Sequence, residues 1–198
     1  MIAAHDITGL ILSGGRGSRL GHADKGLTIF RGMALASHAM ARLSPQVGKL
    51  MMSANRNAEA YRAFGAPVYP DEMQGYAGPL AGVQTGLMHC STPYMVAAPC
   101  DSPFLPYDLV QRLAHALIAE DADAAVARTF EDGKWMPQPV FCLMKTSLLP
   151  SLTEFLRSGE RKVEAWHTTL KIARANFAEA DAFRNINTPE DLRNFEAA

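Results

Sequence analysis

The chain has 198 residues, 48% of them hydrophobic, enough for one substantial core; no compositional shift divides it, so a single domain spanning 1–198 is expected. Its 19 basic and 20 acidic residues leave a net charge of −1, which excludes a broad cationic surface for nucleic acid or anionic lipid, so any phosphate ligand must be gripped locally. The apolar runs are too short to span a bilayer, and Met1-Ile2-Ala3-Ala4-His5-Asp6 lacks the charged start and apolar stretch of a signal peptide, which predicts a cytoplasmic protein with no membrane partner. Cys90, Cys100 and Cys142 are widely spaced and odd in number, which fits small buried thiols better than a zinc site or a disulfide framework.

In chain order, apolar runs that read as strands alternate with helical stretches, the pattern of a mostly parallel sheet flanked by helices. Strands are predicted at Ile7–Leu12, Lys49–Ser53, Val68–Tyr69, Tyr94–Ala98, Asp123–Arg128 and Pro139–Leu143. Between them, Met33–Leu43 and Ala58–Phe64 read as helices, Pro79 opens a helix through Leu87, and Pro106 opens another through Leu117. Later come helical stretches at Leu148–Arg157 and Val163–Leu170, then Ile172–Phe177, where an antiparallel edge element is expected. Thr188-Pro189-Glu190-Asp191 is a helix start, with a hydroxyl N-cap, proline at the first position and acids in the first turn.

The segment after the first strand carries the strongest chemical signal. Leu12-Ser13-Gly14-Gly15-Arg16-Gly17-Ser18-Arg19-Leu20-Gly21, followed by Asp24-Lys25-Gly26, joins a buried strand to a glycine-rich, cationic loop of the kind that clamps a nucleoside triphosphate. It matches neither the P-loop, since Gly26 rather than Ser or Thr follows Lys25, nor the dinucleotide fingerprint, whose third glycine falls on Leu20. An ordinary strand-to-helix loop with solvated cations would carry similar residues.

Three further clusters sit at predicted element ends. Asp71 and Asp101 each follow a strand and a proline, at the sheet edge where open parallel sheets bind ligands. A carboxylate beside a triphosphate points to Mg²⁺, although either aspartate alone also suits a turn or a cap. Gly78 and Gly82 flank a helix start, where backbone N–H groups suit a second phosphorylated substrate and where tight helix packing would demand the same glycines. Asn185 and Asn187 lie two apart before the last helix, so both amides can face one ligand, or serve as caps.

Taken together, Leu12-x-Gly14-Gly15 with Arg19 and Asp24-Lys25, Asn55-Arg56, Pro70-Asp71, Gly78-Pro79-Leu80-Ala81-Gly82, Pro99-Cys100-Asp101-x-Pro103-Phe104 and Asn185-x-Asn187-Thr188-Pro189-Glu190 resemble the molybdenum cofactor guanylyltransferases. The resemblance spans nearly the whole chain and implies a Rossmann-like nucleotidyltransferase fold. It implies an enzyme that transfers GMP from GTP to the phosphate of molybdopterin, releasing pyrophosphate, in transient contact with cofactor-biosynthesis proteins or recipient molybdoenzymes. By the same resemblance, Leu12, Ser13, Gly14, Gly15, Ser53 and Asp71 contact the nucleotide. Arg19 and Lys25 neutralise the triphosphate, Asp101 holds Mg²⁺, and Gly78, Gly82, Asn185 and Asn187 lie by the pterin.

Two positions depart from the family pattern: Ser53 stands where asparagine is common, and His22 where glycine is common. Within the fold, a molybdopterin cytidylyltransferase is the nearest rival, but such enzymes tend to carry alanine at the position of Gly15, and a methyl group there would crowd a purine. A sugar-nucleotide pyrophosphorylase fits less well with the short chain and the Gly78–Gly82 segment. A non-catalytic adaptor that delivers cofactor would have little use for Lys25, Asp71 and Asp101 together.

Overall fold

The computed structural model describes residues 1–13, 24–73 and 78–196. Gly14, Gly15, Arg19 and His22 lie outside the described residues. Nine strands are present among those described: β1 (Ile7–Leu12), β2 (Ile29–Phe30), β3 (Met33–Ala34), β4 (Lys49–Ser53), β5 (Val68–Tyr69), β6 (Tyr94–Pro99), β7 (Ala124–Glu131), β8 (Lys134–Lys145) and β9 (Ile172–Phe177). Seven form one sheet in the order β5-β4-β1-β6-β8-β7-β9, while β2 and β3 form a separate antiparallel ribbon. The helices are α1 (Leu35–Leu43), α2 (Ala58–Arg62), α3 (Pro79–His89), α4 (Leu109–Ala119), α5 (Leu149–Arg157), α6 (Val163–His167) and α7 (Pro189–Glu196).

The sheet's two faces follow from the period-2 alternation of its central strands. On β1, Ile7 and Ile11 face a core completed by α1 and α4 through Ala39, Leu43, Leu109 and Leu113. Leu10 faces the opposite core, built with α3, α5 and α6 through Leu80, Val83, Leu152 and Trp166. Leu10 and Ile11 are each no more than 1% exposed, so each contributes roughly 1.5–3 kcal/mol of apolar burial. Helix α3 can approach this closely because it presents glycines to the sheet. A β-carbon on Gly82 would meet Leu12 Cδ2 at 2.6 Å, and one on Gly86 would meet Leu10 Cδ2 at 2.5 Å.

The mostly parallel sheet flanked by helices is the expected one, and the structure locates its reversed strand. β8 runs antiparallel to both β6 and β7 and sits inside the sheet, while β9, at the edge, pairs parallel with β7. The cause is a two-residue hairpin turn, Asp132-Gly133, with φ of 47° and 77°. Such a turn forces an immediate reversal and suits an Asp-Gly pair. The same geometry recurs at Arg31-Gly32, with φ of 45° and 80°, which makes the β2–β3 ribbon out of residues assigned in part to a helix from sequence. Beyond the β6–β8 pair Ala97–Cys142, the first part of β8 pairs with β7 alone, and its Pro137 and Pro139 have no N–H to offer a further strand.

Cys100 and Cys142 are buried and Cys90 is half-buried, all three as free thiols. Among the described residues no helix is long and apolar enough to cross a membrane.

Candidate active site

From β1 the chain runs first to β4 and β5 on one side, then crosses to β6 on the other, so strand order reverses beside the carboxyl end of β1. That crevice is where open α/β sheets take ligands. The carboxyl ends of β1, β4, β5 and β6 deliver Ser13, Ser53, Asp71 and Asp101 to it. Backbone bonds tie the ends together: Ser13 N–H donates to Ser53 O at 2.8 Å, and Cys100 N–H donates to Leu12 O at 3.1 Å.

One cluster centres on Lys25. Its ammonium lies 3.3 Å from Asp101 Oδ2 and donates also to Asn187 Oδ1. The lysine side chain is 26% exposed and that of Asp101 only 12%. Burial pushes the Asp101 carboxyl above its ordinary range, with the Lys25 charge opposing that shift. The segment before α7 completes this corner: Ile186 N–H donates to Asp101 O at 2.9 Å, and Ser102 Oγ donates to Asn185 Oδ1. Ile186 itself is fully buried with Phe30 and Leu35, which anchors the segment. The two amides therefore reach the same corner, one toward Lys25 and the other toward Ser102.

Helix α7 begins with a reciprocal cap, as Thr188-Pro189-Glu190-Asp191 predicts. Thr188 Oγ1 accepts from Asp191 N–H at 3.1 Å, while Asp191 Oδ2 accepts from the N–H groups of Asn187 and Thr188 at 2.9 and 2.8 Å. Burial is the largest single influence on the Asp191 carboxyl and pushes it up, but these bonds, with the Lys25 charge, together outweigh it and hold the group below its usual range; they also fix the backbone from which Asn187 reaches Lys25.

A second cluster centres on Asp71. Ser53 Oγ donates to its Oδ1 at 2.6 Å and Asn55 Nδ2 to its Oδ2 at 2.7 Å, while Asn55 Oδ1 accepts from Asp71 N–H at 2.7 Å. Asn55 has no chemical role legible in the sequence beyond the Asn55-Arg56 pattern; its side chain holds Asp71 at both the carboxylate and the backbone. Ser53 is buried beneath Asp71 and against Gly82. Gly82 is likewise buried, so its place is explained by helix-to-sheet contact, whereas Gly78 is exposed with φ of 78° just before Pro79. The carbonyl of Arg161 approaches Gly78, bringing the Glu160-Arg161-Lys162 segment to this side. Those charges were legible in the sequence, but nothing local tied them to Gly78.

The fold and this edge cluster define a nucleotide-handling α/β enzyme class, and comparison with known proteins agrees. Residues 9–172 match the family described as the MobA-like NTP transferase domain. A molybdenum cofactor guanylyltransferase from Cupriavidus necator is 57% identical over 197 residues, covering 99% of both chains. One from Bordetella petrii is 54% identical over 193 residues, covering 98% of both. Among solved structures, molybdopterin-guanine dinucleotide biosynthesis protein A from Archaeoglobus fulgidus has a TM-score of 0.77 at 23% identity, covering 96% of this chain and 97% of that one. A 4-diphosphocytidyl-2C-methyl-D-erythritol synthase from Anaerococcus prevotii shares the fold with a TM-score of 0.78 at 12% identity, covering 98% and 96%. The chain belongs to the molybdenum cofactor guanylyltransferase family and is a nucleotidyltransferase.

Proposed function

We propose that the chain, acting as one domain over 1–198, transfers GMP from GTP to the terminal phosphate of molybdopterin. A phosphate oxygen of the pterin attacks the α-phosphorus of GTP, a new P–O–P bridge forms, the α–β bridging bond breaks, and pyrophosphate leaves with the electron pair. The observation that carries this reading is the Lys25–Asp101 pair, 3.3 Å apart at the crevice beside β1, on a chain whose full-length relatives are named for guanylyl transfer.

The nucleophile is already an anion, so the chief obstacle is repulsion between two phosphorylated substrates rather than deprotonation. Lys25 supplies positive charge for the triphosphate, and Arg19 and the Leu12–Gly15 loop are proposed to grip the same nucleotide. Asp71 orients the nucleotide, with Ser53 and Asn55 acting through it. Asp101 would hold Mg²⁺, an ion that one or two protein carboxylates typically hold while phosphate and water complete its shell. When bound, the ion would neutralise charge on the α-phosphate and the departing pyrophosphate. Gly78, Asn185 and Asn187 are proposed to border the pterin site, with Gly82 supporting it from below. Cytoplasmic delivery of the product to recipient molybdoenzymes follows from the same reading.

The test is pyrophosphate release from GTP or CTP with Mg²⁺ and molybdopterin. GTP should be strongly preferred. Equal kcat/KM for CTP would move the assignment to cytidylyl transfer, and no release with either would leave only an adaptor.

A further inference from the structure

Asp24 poses a problem that the reaction leaves open. A carboxylate directly before the lysine of a polyphosphate site should repel the ligand that Lys25 attracts. The structure shows why it is tolerated, since both of its oxygens are held by the protein. Oδ1 accepts from the Tyr61 hydroxyl, and Oδ2 accepts from Asn57 Nδ2 at 3.0 Å.

We propose that Tyr61, assisted by Asn57, is a positioning residue that presents Lys25 to the polyphosphate by fixing Asp24. This rests on the reading of Lys25 given above. Tyr61 is fully buried on α2, and its ring meets both neighbours of the lysine. It bonds Asp24 on one side; on the other, a β-carbon at Gly26 would lie 3.0 Å from its Cε1, which explains the glycine. The Phe64 ring packs edge-on against it at 5.9 Å and 81°, so the phenol has little freedom to turn away. Burial above all, then the Cys100 thiol and Asp24 itself, raise the hydroxyl far above its ordinary range, keeping it a donor.

The turn it supports is short. Leu27 N–H donates to Asp24 O and Thr28 N–H to Lys25 O, both at 3.1 Å, while Thr28 Oγ1 donates to Asp24 O at 3.3 Å. A turn of this size has few bonds of its own to define its position on the sheet edge. Thr28 O ties its far end to α1 by accepting from Leu35 N–H at 2.9 Å, and the anchored Asp24 carboxylate ties its first residue. Asn57 is itself held by backbone geometry: it adopts the left-handed conformation with φ of 52° at the start of α2, which asparagine tolerates better than most residues. Tyr61 and Asn57 thus reach one carboxylate from a single turn of helix.

The experiment uses the full chain and measures GTP affinity at fixed Mg²⁺ without pterin, alongside kcat/KM and thermal stability. Tyr61→Phe removes one oxygen and keeps the ring, so it should weaken GTP binding about tenfold, the scale of one charge-assisted hydrogen bond. In an Asp24→Ala background the same substitution should cost nothing further, because the link through which it acts is gone. Asn57→Ala, at an exposed position, should weaken GTP two- to threefold on the same readout, and it carries the test if Tyr61→Phe fails to fold. Parental GTP affinity in both Tyr61→Phe and Asn57→Ala, or an equal loss from Tyr61→Phe with and without Asp24, would overturn the proposal. Lys25→Ala separates it from the underlying reading. If Lys25→Ala binds GTP as the parent does, that reading falls; if Lys25→Ala weakens GTP and the Tyr61 and Asn57 variants do not, only the present proposal falls.

Discussion

The Ser53 hydroxyl donates to Asp71 across 2.6 Å from a position that is 1% exposed. A side chain so placed affects a ligand through the carboxylate it holds. This gives physical content to the departure at position 53: serine is short enough to fit between Asp71 and the α3 backbone, where its Oγ would be 3.0 Å from any β-carbon at Gly82.

Ser53→Ala should therefore leave Asp71 with Asn55, but not residue 53, donating to its carboxylate among the described residues. Loss of one buried hydrogen bond costs about 1 kcal/mol or somewhat more, so kcat/KM for GTP is expected to fall roughly fivefold. Steady-state kinetics beside a melting curve would check this; a change in melting temperature with unaltered kcat/KM would count against action through Asp71.

Gly82→Ala probes packing rather than ligand contact. The added carbon would stand 2.6 Å from Leu12 Cδ2 and 3.0 Å from Ser53 Oγ, too close unless the Leu12 side chain or α3 shifts. Overpacking of this kind typically costs about 1–3 kcal/mol. Chemical denaturation should show that loss, and the urea midpoint should fall with little change in slope.

Asp101→Asn keeps the shape of the side chain and removes its charge. Because Asp101 is the proposed Mg²⁺ anchor as well as the partner of Lys25, turnover should fall by orders of magnitude and its Mg²⁺ requirement should shift upward. Asp71→Asn should be milder. Turnover against Mg²⁺ concentration for both variants would decide; parental behaviour of Asp101→Asn would put the metal elsewhere.

His167 sets a pH dependence of stability. It is buried on α6, and burial above all, with Arg174 adding and Glu164 opposing, lowers its pKa from 6.5 to about 4. As pH falls below 6.5 the unfolded chain takes up this proton before the folded one does. The stabilisation is therefore complete above pH 6.5 and is lost as pH falls toward 4, in all on the order of 3 kcal/mol. Urea midpoints between pH 7 and 4.5 should decline for the parent and decline less for His167→Leu.

Much of the sheet was legible because β1, β4 and β6 are short apolar runs ending in turn residues, and α7 because its cap is written in consecutive residues. The β7–β8 hairpin was only half legible. Its signal was Asp132-Gly133, but the outer part of β8, with Pro137 and Pro139, does not read as a strand when taken locally. At the site, Lys25, Asp71 and Asp101 stood out by residue type and position. The partners that hold them did not: Tyr61 looks like an ordinary core aromatic on a short helix, and the bond from Lys25 to Asn187 joins positions 162 residues apart. No local pattern encodes such a pairing. It exists because Ile186, buried beside Phe30 and Leu35, pins the segment that carries Asn187.

That last contact sets an order of events during synthesis. Lys25 leaves the ribosome early, and the asparagine that completes its surroundings follows 162 residues later. At translation rates of about 5–20 residues per second, this corresponds to a delay of roughly 8–32 s. Through that interval the sheet can assemble strand by strand, yet the lysine has no Asn187 to meet. The growing chain thus passes through a long stage in which the corner around Lys25 still lacks one of its partners.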